Sequence, residues 1–369
     1  MKTTFEFGND PAKIARYRAF WAREEVDRPL VGFSFKSWFP LQEFAASAAW
    51  QDEDVLTPDM VVPAAFLDDQ ERLLREGELI QDDIMRGACP SQAVPWLDGM
   101  LGATLRILPG SILGEDRCLP WDTLSAMTLD LEGAWASVYL GFIDALVERS
   151  AGRYPISHGT LHGPSDMTAA LRGHSQSVLD LLHEPVRSTR LLEQMAQMFR
   201  DVTLAAWERI PLWHGGCYDA QYQLWAPGPI IRMQEDASGL YSPALYRRFL
   251  QPVDAWLAGQ FACAFMHLHS TSMFLLDEFL AIDALRCFEV NYELVSGGPP
   301  VAGMLPYWRR IQQAGRSLLI RGSFTPEEAQ ELVEGLDPRG LYLYIMVEDQ
   351  AEIARVRPRL GLPPGQEAG

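Results

Sequence analysis

Cysteine is scarce in this sequence, and no two cysteines sit close together. Cys89, Cys118, Cys217, Cys263 and Cys287 are an odd number without a close-spaced pair, which argues against a disulfide framework and against a structural zinc knuckle. They read as reduced thiols of a cytoplasmic protein. Positive charge is also in deficit: 31 Lys and Arg against 49 Asp and Glu give a formal charge of −18. Such an excess repels phosphate backbones and anionic lipid alike, so neither nucleic acid nor a membrane surface is an expected partner. No stretch approaches the roughly 18 apolar residues that cross a bilayer, and the start of the chain lacks the basic-then-apolar pattern of a signal peptide. Gly215-Gly216 is followed by neither G-x-G-x-x-G nor G-K-[ST], which removes the usual phosphate-binding loops.

What is present is a chain of 369 residues with 48 % hydrophobic composition, enough to bury a large core. Apolar runs ending at Phe35, Asp83, His158, Arg232, His267, Asn291, Arg321 and Glu348 read as buried strands separated by helical periodicity. That alternation predicts a (β/α)8 TIM barrel with its site at the carboxyl ends of the strands. One domain is expected over residues 1–362, opening with a helical extension at 10–25, with a disordered tail at 363–369. The Gly- and Pro-rich stretch 90–120 predicts an inserted hairpin-like excursion near the second strand, lying over the barrel mouth. His158 and His162 have metal-ligand spacing for a helix, but the glycines and prolines around them favour a polar loop.

The run Phe261 to Met266 ends in His267-Leu268-His269. In an extended chain the i, i+2 spacing turns both imidazoles to one side, so a buried strand delivers two nitrogen ligands to one point. Strand ends also carry histidines for structural reasons, and that reading stays open beside the ligand or catalytic one. Asp82 and Asp83 are candidates of the same ambiguous kind, site carboxylates or a helix cap.

Beyond these patterns, the chain resembles the uroporphyrinogen decarboxylase superfamily, which includes zinc methyltransferases acting on corrinoid cofactors and thiols. The residues that carry the likeness are Gly163-Pro164 before a helix, the segment Gln234-Glu235-Asp236 through Ser242-Pro243, His267-Leu268-His269-Ser270 and Arg321-Gly322-Ser323, with Arg28-Pro29 leading into the first strand. Several departures separate it from the decarboxylases: one lysine, Lys36, in place of an arginine-rich loop, no tyrosine in the helix after Gly163-Pro164, and no histidine near the eighth strand. Asp83 is the counterpart of the aspartate those enzymes place at the second strand. The methyltransferases hold zinc with a His-x-Cys and a late cysteine. Here His267 matches, His269 stands where the first cysteine would, and the late cysteine is replaced by Glu348 or Asp349.

The resemblance therefore implies a methyltransferase-like enzyme whose metal, zinc, is held by His267, His269 and Glu348, with a corrinoid as substrate or on a separate carrier protein. Glu348 is preferred over Asp349 on alternation, Asp349 being free to cap the following helix. Asp83, Glu235 and His267 are the expected catalytic residues. Lys36, Trp38, Trp225, Arg232, Asn291, Tyr292 and Arg321 are the expected substrate-binding ones. The alternatives are a metal-free decarboxylase or lyase acting on a small carboxylated substrate, using Asp83 and a histidine as acid and base, and a non-catalytic small-molecule-binding barrel.

Overall fold

The structure is a computed structural model, and it describes residues 5–35, 41 and 43–363. Lys36 and Trp38, and the tail after residue 363, lie outside the described residues. Among the described residues, eleven strands form three sheets. β1 (Leu30–Phe35) belongs to the largest sheet; β2 (Val55–Leu56), β3 (Leu105–Leu108) and β4 (Ser111–Gly114) form an antiparallel one, and β5 (Cys217–Asp219) pairs with β6 (Leu224–Ala226). The largest sheet continues with β7 (Ile230–Gln234), β8 (Cys263–His269), β9 (Leu285–Asn291), β10 (Ser317–Gly322) and β11 (Leu341–Val347). Its order is β1-β11-β10-β9-β8-β7, and every pair is parallel.

Alternation along these strands divides their side chains between two cores. Ile231 and Met233, Met266 and Leu268, Phe288 and Val290, Ile320, and Leu343 and Ile345 face the helical layer. Ile230, Phe265, Cys287, Leu319, Tyr342 and Tyr344 face the other side, where they pack with the N-terminal helix through Ile14, Tyr17 and Phe20 and with the β5–β6 hairpin through Tyr222 and Trp225. The two expected strands at 79–84 and 154–158 are reduced to single contacts. Ala88 bridges Ile156 in parallel, and the Asp83 N–H donates to the Val31 carbonyl at 3.0 Å. The cause is visible at β1: the Val31 and Phe33 N–H groups donate to the side chains of Asp83 (3.0 Å) and Asp82 (2.9 Å) instead of to a neighbouring backbone. Carboxylates take over the role of ladder carbonyls, so no regular strand forms there.

Asp83 is held by Arg28 in a two-pronged contact, with Nη2 2.8 Å from Oδ1, and Arg16 Nε lies 3.3 Å from the same oxygen. Asp82 pairs with buried Arg86 at 2.7 Å. The excursion at 90–120 is the β3–β4 hairpin, closed by a turn at Pro109-Gly110, where Gly110 has φ +75. Gly163 is required for a different reason: a Cβ there would lie 1.6 Å from the Gln234 carbonyl oxygen, so only glycine lets the helix Pro164–Arg172 start against the end of β7. Among the described residues, no helix is long and apolar enough to cross a membrane.

Removing one partner of a buried, hydrogen-bonded ion pair strands the other charge, at a cost of about 3–5 kcal/mol. Asp83→Ala is accordingly expected to lower unfolding stability by about 3 kcal/mol, read as a drop in the urea midpoint. An unchanged midpoint would show that Asp83 does not hold β1 in place.

Candidate metal centre and cavity

Two register rows build the site. Across β7, β8 and β9, Gln234 is opposite His267 and His267 is opposite Glu289; across β8, β9 and β10, His269 is opposite Asn291 and Asn291 is opposite Arg321. All six side chains belong to the face away from the helical layer, because strands alternate and these positions share parity with Phe265, Cys287 and Leu319.

Each imidazole is oriented by its own carboxylate. Glu289, fully buried, accepts from His267 Nδ1, and the Tyr222 hydroxyl lies 2.9 Å from the same nitrogen. Glu293 accepts from His269 Nδ1 at 2.7 Å. Glu293 is in turn fixed by Asn291, whose amide donates to it at 2.7 Å, and Arg321 donates to the Asn291 amide oxygen at 3.3 Å. Ser270 secures the turn by accepting the Glu293 N–H at 3.2 Å. With both Nδ1 atoms committed as donors, both Nε2 atoms turn to one point and lie 3.3 Å apart.

Asp236 completes that point. Its Oδ1 is 3.4 Å from His269 Nε2, and the Gln234 amide holds its other oxygen. The three ligand atoms of Asp236, His267 and His269 all lie within 4.8 Å of one another. Two ligands about 2.05 Å from a tetrahedral zinc ion are separated by about 3.3 Å, so both close edges of this triangle have the length the ion requires. The donor set, two imidazoles and a carboxylate with both rings backed by carboxylates, also fits zinc.

Electrostatics follow from this crowding. Burial pushes the His267 pKa down, and Glu289 opposes it without winning. Burial works the same way on His269, but Asp236 and then Glu293 outweigh it and push that pKa up to about 10. Burial would raise the Asp236 pKa, yet the hydrogen bond with His269 holds it well below the usual carboxylate range.

The triad opens on a cavity of about 390 Å³. Arg232, Asn291 and Arg321 line it together with Asp236, His267 and His269, and Trp96, Ile112 and Leu113 roof it from the excursion. Other expected site residues lie elsewhere. Glu348 is exposed after β11, its N–H bonded to Glu352, while Asp349 caps the next helix. Glu235 faces the helical layer, where it accepts the Ser165 N–H at 2.8 Å; burial and then Asp254 and Asp166 raise its pKa well above the ordinary value. Asp83 is engaged with Arg28 and Arg16. Trp225 packs under the N-terminal helix beneath Arg18, and Tyr292 stacks on Phe324. The structure thus brings His267, His269, Arg232, Asn291 and Arg321 together, and leaves Glu348, Glu235, Asp83, Trp225 and Tyr292 away from the cavity.

Sequence reasoning missed Asp236, Glu289, Glu293 and His162. Glu289 had a signal, a carboxylate inside an otherwise apolar strand, two residues before Asn291. His162 lies on the cavity wall with Nδ1 3.1 Å from Asp98. Burial opposes its protonation, but Asp98 overrides this and raises the pKa to about 9. A histidine whose folded pKa exceeds its unfolded value of 6.5 contributes stability in full below that pH and loses it as pH rises through the folded pKa. Stability of the wild-type protein is therefore expected to fall between about pH 6.5 and about pH 9 by more than that of Asp98→Asn. Parallel pH profiles of thermal unfolding for the two proteins would refute the pairing.

No family model matches the chain, and no curated protein matches it. Among solved structures it is similar to a methyltransferase from Methanosarcina mazei, with a TM-score of 0.64 at 15 % identity, covering 97 % of this chain and 98 % of that one. At that identity the likeness shows the fold alone: this chain has a mixed α/β fold, built on a six-stranded parallel sheet, that it shares with a methyltransferase.

Proposed function

We propose that the protein is a zinc-dependent methyltransferase of a (β/α)8 barrel type, related to the uroporphyrinogen decarboxylase superfamily, in which Asp236, His267 and His269 hold the metal. The observation that carries this reading is the pair of edges, 3.3 Å between the two Nε2 atoms and 3.4 Å from His269 to Asp236. The barrel reading extends the six parallel strands by the segments around Asp83–Ala88 and Ile156, which continue from β1 through single backbone contacts.

Asp236, His267 and His269 would hold the ion, which when bound would supply Lewis acidity toward the methyl acceptor's heteroatom. The chain's own residues do the rest. Glu289 and Glu293 fix the tautomers, so that both Nε2 lone pairs face the ion. The Arg321–Asn291–Glu293 chain keeps the His269 ring from rotating. His162, whose pKa Asp98 raises to about 9, favours a positive charge on the cavity wall near neutral pH. The corrinoid we propose as the methyl source is larger than a cavity of about 390 Å³, so it would be presented at the mouth, on a separate carrier protein, while the acceptor occupies the interior.

Elemental analysis tests the metal. One zinc per chain is expected for the wild type and for Glu348→Ala, with loss of metal in His267→Ala and Asp236→Ala. Glu289→Gln keeps the ligands but weakens the orientation of His267, and is expected to reduce zinc affinity about 10–100-fold. Wild-type protein purified and reconstituted without stoichiometric zinc, or full zinc content in Asp236→Ala, would sink the assignment.

A further inference from the structure

Arg232 is a charged wall residue to which the metal reading gives no role. It stands on β7, two positions before Gln234, and is 3 % exposed, yet it lines the cavity. Its Nε reaches the Tyr222 hydroxyl only at 3.4 Å, and its buried Nη1 has no hydrogen-bond partner among the described residues. Asp219 and Asp236 act on it through space. A guanidinium offers five donors in a planar fork, and burying one with an open prong is unfavourable unless something with acceptor oxygens enters. Arg321 lines the same cavity from β10, and its Nη1 already positions Asn291. His162 adds a third cationic group from the wall formed by the loop before Gly163.

We propose that the cavity takes a small substrate bearing a carboxylate, gripped by Arg232 with Arg321 beside it, while the substrate's other end faces Asp236, His267 and His269. The anion grip stands on the open guanidinium alone, whereas the placement of the reacting end rests on the metal reading. Paired oxygens on a planar acid match the guanidinium fork, a match that a neutral amide cannot reproduce because half of its polar edge donates. The carboxylate end also separates acceptors: a neutral molecule of the same size would leave Arg232 unmatched inside the cavity, which disfavours its binding.

The probes are 3-mercaptopropionate and its neutral amide, titrated calorimetrically into zinc-loaded protein and into protein stripped of metal. The acid is expected to bind about tenfold or more tightly than the amide in both forms. Arg232→Gln should abolish that preference while retaining wild-type zinc content, and Arg232→Lys should restore part of it. Equal binding of acid and amide to stripped wild-type protein overturns the anion site, and so does a preference kept in Arg232→Gln, because the metal or another group then holds the carboxylate. Displacement of the acid by equimolar inorganic phosphate overturns the carboxylate assignment in favour of a general oxyanion site. A protein that takes up no zinc but still prefers the acid removes the metal reading and leaves the anion site standing. Should Arg232→Gln fail to fold, the comparison in stripped wild-type protein decides.

Discussion

A buried carboxylate facing a buried imidazole across one strand pair, Glu289 against His267, is the constraint from which the site follows. Both side chains sit in the parallel register of β8 and β9 and are buried, Glu289 completely. A carboxylate so placed is strongly destabilising unless donors and positive charge surround it. His267 Nδ1 supplies a donor to one oxygen, while Oε1 has no partner among the described residues. Positive charge comes from Arg321, which interacts with Glu289 through space, and, in the reading advanced above, would come from the metal ion beyond the ring. Once Nδ1 is committed to Glu289, the remaining ring nitrogen can only present its lone pair toward the cavity. The tautomer is thus decided by the register of two strands.

The same constraint separates what was legible in the sequence from what was not. The i, i+2 spacing of His267 and His269 placed both rings on one face because strand alternation is strict, and Arg232, Asn291 and Arg321 ended up on the cavity for the same reason. The third group was not legible. Glu348 and Asp236 both follow an apolar strand, and choosing between them depends on how the chain bends afterwards. At Glu235 the backbone adopts φ −138 and ψ 57, which turns Glu235 toward the helix Pro164–Arg172 and brings Asp236 back over the His pair. After β11 the chain instead enters a helix at once, capped by Asp349, and Glu348 is left in solvent. No composition or period encodes that difference; it depends on Gly163, whose missing side chain admits the helix that Glu235 bonds.

The second expected strand failed for a related reason. Asp82 and Asp83 look like strand-end site residues when only polarity at the end of an apolar run is counted. In the fold their oxygens take the N–H groups of Val31 and Phe33, and Arg28, Arg16, Arg86 and Lys13 surround them. Polar residues at the end of a run signal a site only when their hydrogen-bonding capacity is left over after the backbone is satisfied. Asp83 has little left over. Arg232 differs in combining an unpartnered buried Nη1 with a place on the cavity wall, and the proposed anion grip rests on that combination.

Charge gives the last step. The chain is acidic as a whole, with a formal charge of −18, yet the cavity gathers Arg232, Arg321 and His162, whose pKa Asp98 raises to about 9. Beyond a Debye length of about 8 Å salt screens the surface excess, so an anionic substrate meets the local cations once it reaches the mouth. In the proposed metal reading, His269 and Asp236 stand where thiolates would otherwise ligate, and that would change what the metal can do. Nitrogen and oxygen donate less electron density than sulfur and leave a harder, more Lewis-acidic ion. Such an ion favours acidifying an oxygen or nitrogen acceptor over stabilising a bound thiolate. If both proposals hold, a cationic grip at one end and a hard metal at the other would together select for an acceptor that is itself a small acid carrying a hydroxyl or amine, with a thiol serving as a probe and not as the preferred partner.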